Sequence, residues 1–136
     1  MLQMNDNAHE GYRSTHRARL SLSAEPVSVS DGRRFVREVL RSWQLDGLRE
    51  AVELVASELI TNTLLHTDSP PTVNLAMLSN GVRLEVEDES GTHPRRRSYG
   101  FDATTGRGMM LVESMASRWG TETLPDGKIV WCEFDC

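Results

Sequence analysis

Three stretches of the sequence carry residues whose types and spacing could do chemistry. In SELITNTLLHT, Ser57–Thr67, the residues Glu58, Asn62 and His66 recur every four positions. On a helix they would stack a carboxylate, an amide and an imidazole along one face, beside the apolar line of Val52, Val55 and Leu59. Taken alone, that stripe is the ordinary boundary of an amphipathic helix, with His66 near a C-terminus where the dipole favours a cation. In EDESGT, Asp88 ends a β-rich run and is followed by Ser90 and Gly91. A carboxylate there can accept an amine proton from a base edge, and a glycine lets a flat ring approach the backbone; Asp and Gly also simply terminate strands. In TTGRGMM, Gly106 and Gly108 flank Arg107 at the expected mouth of a helix. Glycine amides and the positive end of a helix dipole suit an anion such as a nucleotide phosphate. The same glycines serve loop-to-helix turns, and no Gly-Lys-Ser/Thr follows to make a P-loop.

These stretches need elements to hold them. HRARLSLSAE alternates Ala18, Leu20, Leu22 and Ala24 with polar neighbours, which predicts a half-buried strand ended by Pro26. Phe35, Val36, Val39, Leu40 and Trp43 then recur at helical spacing, with Ser30 as the expected N-cap. A second helix is predicted from an Asp46 cap to about His66, broken by TDSPPT. TVNLAML and VRLEVED read as strands joined through Ser79, Asn80 and Gly81, an Asn-Gly hairpin. Residues Ser90 to about Gly106 lack periodicity and predict one long loop. RGMMLVESMASRW returns to helical spacing, and GTETL with KIVWCEF predicts a closing hairpin around Pro125, Asp126 and Gly127. Strand, two helices, hairpin, loop, helix and hairpin predict an α+β fold, a two-layer sandwich with a mostly antiparallel sheet and helices packed on one face.

Composition narrows the function classes. The 136 residues suit a single domain, expected over 15–136, after a polar, non-periodic tail over 1–14. A net charge of −5 argues against direct nucleic-acid binding, which needs a positive footprint. No apolar run approaches the roughly 20 residues that span a bilayer, and the first dozen residues lack a secretory pattern, so a cytoplasmic protein is expected. Cys132 and Cys136 have no companions at metal-ligand spacing and read as free thiols. Trp43, Trp119 and Trp131 read as core or edge packing. The run Arg95, Arg96, Arg97 reads as a solvated charge run within the long loop.

The order and spacing of the three stretches carry more than each does alone. An E-x-x-x-N helix, a strand ending in Asp with a nearby Gly, and a long loop closing on G-x-G at a helix start resemble the GHKL family of ATP-binding domains. The likeness is to its bacterial anti-sigma-factor serine kinase branch and the related actinobacterial regulatory ATP-binding proteins, and covers about Arg17 to Phe134. The resemblance implies ATP and Mg²⁺ as ligands. It implies that Asn62 holds Mg²⁺ through its amide oxygen, a hard ligand for a hard cation, and that Glu58 is the general base acting on the attacking hydroxyl. It implies that Asp88 accepts the adenine amine, that Gly91 gives the ring room, and that Gly106, Arg107 and Gly108 close a lid, about 90–106, over the phosphates. The partners implied are a sigma factor and an anti-sigma-factor antagonist protein. Relatives are often dimers; for this chain the oligomeric state stays open, a homodimer being one form the resemblance allows. A purely docking, nucleotide-dependent binding module and a simple ATP hydrolase are the rival functions. His66 falls where relatives often carry His or Arg and receives no chemical role. Two departures stand out. The family's D-x-G-x-G reads here as Asp88, Glu89, Ser90, Gly91, Thr92, which predicts a looser adenine side. Ile129 stands where many relatives have Thr, which predicts slow turnover.

Overall fold

A computed structural model describes residues 2–4, 16–67, 69–89 and 103–136, with the side chains of 2–4 and 103–108 apart. The elements in chain order are β1 (Leu2–Met4), β2 (His16–Ser21), α1 (Val27–Ser42), a 3₁₀ turn (Asp46–Leu48), α2 (Arg49–His66), β3 (Thr72–Leu78), β4 (Gly81–Asp88), α3 (Ala103–Met115), β5 (Arg118–Leu124) and β6 (Gly127–Asp135). The strands form one sheet in the order β1-β2-β3-β4-β6-β5, and every neighbouring pair is antiparallel. The expected α+β sandwich is the observed architecture. The three residues of β1 pair with β2 through Leu2↔Ala18 and Met4↔His16, so this part of the expected tail is an edge strand.

Strand alternation sorts the two sheet faces. Ala18, Val73, Leu75, Val82, Leu84, Val86, Cys132 and Phe134 are buried under the helices, where they meet Phe35, Val36, Val39 and Leu40 of α1 and Val52, Val55, Leu59 and Ile60 of α2. Trp43 joins this core and Trp119 packs against it. Gly32 is a packing requirement: a Cβ there would run into the Ile60 side chain, so its absence lets α1 close onto α2. Cys132 and Cys136 are free thiols, and burial pushes the Cys132 thiol up to about 12. No helix among the described residues is long and apolar enough to cross a membrane.

The opposite sheet face carries charge. Arg83 donates to Glu133 and Glu85 at 2.9 Å each, Arg118 donates to Glu133 at 3.0 Å, and Arg19 donates to Asn74 at 3.1 Å. The Arg83 guanidinium also lies 4.5 Å from the ring centroid of Trp131. Trp131 is thus an open-face residue roofed by a cation. A cavity of about 290 Å³ on this side, lined in part by Arg17, Arg19, Asn74 and Arg83, lies across the sheet from the helices.

The first two helix starts differ from expectation. Helix α1 begins at Val27, a turn before the expected Ser30 cap, with Pro26 at the N-cap position. Proline's fixed φ suits a helix start, and Ser28 secures the first turn by donating its hydroxyl to the Ser23 carbonyl at 2.7 Å. Ser30 lies inside the helix, donating to the Val27 carbonyl. Asp46 opens the 3₁₀ turn, not α2, and no side-chain cap bond forms there.

Glu53 clasps the two long helices. Only 5% exposed, it accepts from Arg37 Nε at 3.0 Å and Arg49 Nε at 2.7 Å, with Arg33 at 3.6 Å. Burial pushes its carboxyl up, but hydrogen bonds and charge from Arg37 and Arg49 outweigh this and hold it below its ordinary value. A lowered folded value means that the stabilisation is present above the unfolded carboxyl value and is lost as pH falls through the folded one. Glu53→Gln is expected to cost roughly 1–3 kcal/mol at neutral pH, a deficit that closes in acid. Urea unfolding at pH 7 and near pH 3 checks it; a pH-independent deficit would refute the charge-based account.

Candidate functional site

Helix α2 is apolar around much of its girth because it touches α1, α3 and β4. Val52, Val55, Ala56, Leu59, Ile60 and Thr63 are buried. Glu58 and Asn62 are half-buried and one turn apart, and His66, also half-buried, is the last helical residue. The Asn62 Oδ1 stands out: it is buried and, among the described residues, has no hydrogen-bond partner. Leaving a buried acceptor unmade costs about 1–3 kcal/mol.

The second component is the end of β4. Asp88 is only 3% exposed, and the strand alternation points it to the helical side, as it does Val82, Leu84 and Val86. Across the sheet Asp88 pairs with Lys128 and Glu87 with Ile129, so the Gly127–Ile129 stretch lies against the Asp88 end of the strand. The helix and the strand end are tied together: Glu89 N–H donates to the Ser69 hydroxyl at 2.8 Å. Asn62 lies one turn before the end of α2, and Ser69 follows that end closely. Asn62 and Asp88 therefore share one end of the domain. In the sequence Ser69 stands only within the helix-breaking TDSPPT, and no periodic signal announces a bond spanning 20 residues.

The third component needs correction. Helix α3 starts at Ala103, so Gly106 and Gly108 lie inside its first two turns, not ahead of it. Amides inside a helix are engaged along its axis, and the free donors are those of the first turn. The expected lid boundary at 106 thus overlaps α3, which packs on α2. Arg107 is in the same turns. Gly91 and Arg95, Arg96 and Arg97 lie outside the described residues, as does most of the expected lid.

Among the described residues no group of three His, Cys, Asp or Glu side chains could hold a metal ion. Mg²⁺ takes hard oxygen ligands and commonly rests on one or two protein oxygens together with substrate phosphates and water. The orphaned amide oxygen of Asn62 fits that requirement.

The family model for the histidine kinase-like ATPase domain matches residues 22–134. The chain belongs to this family. Membership implies ATP binding, and the matched span contains Glu58, Asn62, Asp88 and Gly106 to Gly108. No curated protein matches the chain. For a histidine kinase-like ATPase domain, the geometry supplies a hard oxygen on α2, a carboxylate one turn before it and a buried carboxylate at the adjacent strand end.

Proposed function

We propose that this protein is an ATP-binding anti-sigma factor with serine/threonine kinase activity, which phosphorylates an anti-sigma-factor antagonist and sequesters a sigma factor. The observation carrying the kinase reading is Glu58, half-buried and one turn from Asn62 on α2. A module that only docks has no need of a carboxylate there. Asn62 would hold Mg²⁺, which when bound neutralises phosphate charge. Glu58 takes the proton of the acceptor's Ser or Thr hydroxyl; the oxygen then bonds to the γ-phosphorus as the bond to the β–γ bridging oxygen breaks, and ADP leaves. Asp88 would accept the adenine amine and disfavour guanine, which presents an oxygen at that position.

Incubation with radiolabelled ATP and candidate antagonist proteins tests this reading. Label on a serine or threonine of the acceptor is the expected result. ATP binding without transfer would leave a nucleotide-dependent binding module, and phosphate release without an acceptor would make the protein a hydrolase.

A further inference from the structure

We infer that Ser69 is a positioning residue that fixes the base-recognising strand end relative to the metal-side helix; this rests on the adenine-nucleotide reading above. Ser69 joins two networks. Its hydroxyl accepts the Glu89 N–H at 2.8 Å, one residue beyond Asp88. Its own N–H donates to the Thr67 hydroxyl at 3.2 Å, and that hydroxyl donates to the Thr63 carbonyl at 3.0 Å, in the turn that contains Asn62.

The surroundings leave this link little slack. Pro70 and Pro71 follow Ser69 with restricted φ, and buried Pro71 accepts the Leu22 N–H at 2.9 Å. On the far side of the strand end, a Cβ on Gly127 would collide with the Asp88 carbonyl oxygen and approach Glu89 Cα to 2.8 Å. The segment bearing Asp88 is thus held between a hydroxyl on one side and a bare glycine backbone on the other. Freeing Glu89 would let the Asp88 carboxylate wander from its aim, weakening recognition of the base more than binding of the metal and phosphates.

The test is calorimetric titration of the full chain with Mg-ATP and Mg-GTP, alongside thermal unfolding, for wild type, Ser69→Ala and Ser69→Thr. Ser69→Ala is expected to weaken ATP binding by roughly 5- to 10-fold, the worth of about one hydrogen bond. It should also reduce the ATP-over-GTP preference, and Ser69→Thr should restore both. Wild-type binding with an unchanged Ser69→Ala overturns this inference alone, as does a loss that leaves the ATP-over-GTP ratio intact. A wild type that binds no ATP overturns the nucleotide reading with it. Should Ser69→Ala fail to fold, amide exchange in the wild type decides: the Glu89 amide should be protected and gain protection with ATP, and exchange at the free-peptide rate would overturn the inference.

Discussion

Asn62→Ala should lose Mg²⁺-dependent nucleotide binding, by at least on the order of 100-fold, because even outer-shell partners of a metal are worth about 10- to 100-fold. The same substitution should leave the nucleotide-free protein at least as stable as wild type. The Asn62 Oδ1 is buried without a partner among the described residues, so truncation relieves an unmade hydrogen bond worth about 1–3 kcal/mol, set against the small cavity it opens. Loss of binding with undiminished thermal stability marks a residue kept for a ligand and not for the fold. Titration with ATP in the presence and absence of Mg²⁺, paired with a melting curve, reads both effects, and unchanged affinity removes Asn62 from the site.

Glu58→Ala should separate binding from chemistry. It should leave nucleotide affinity near wild type while transfer to the acceptor falls by roughly 10²–10⁴-fold, the usual worth of a positioned general base. The loss belongs in kcat, with KM for ATP little changed, because the carboxylate acts on the proton in flight and not on the bound nucleotide. Full activity would remove Glu58 from its role as base. A parallel fall in affinity and turnover would mean that it helps hold the ligand.

The strands were more legible than the helix ends, for local reasons. Asn80-Gly81 joins runs that alternate in burial, so β3 and β4 could be read almost residue by residue. The end of α1 carries no such mark. Gln44 adopts φ 61°, and Leu45 N–H donates to the Leu40 carbonyl at 2.8 Å, a left-handed cap normally signalled by glycine. Helix α3 begins four residues before Arg107 because Ala103, Thr104, Thr105 and Gly106, which resemble loop in composition, are helical in context. At the candidate site the residue types at 58, 62 and 88 were visible in sequence. The orphaned oxygen of Asn62 and the Ser69 bond to Glu89 were not, since both arise where distant segments meet.

The sheet face turned away from the helices bears on behaviour in solution. No described element lies over it, yet the guanidinium and carboxylate groups of Arg83, Glu133, Glu85 and Arg118 neutralise one another along its strands, with the Trp131 ring beneath a cation. A flat, greasy wall would invite one molecule to stick to the next. A mesh of paired charge keeps its water, so the described strands turn no such wall outward on the side away from the helices.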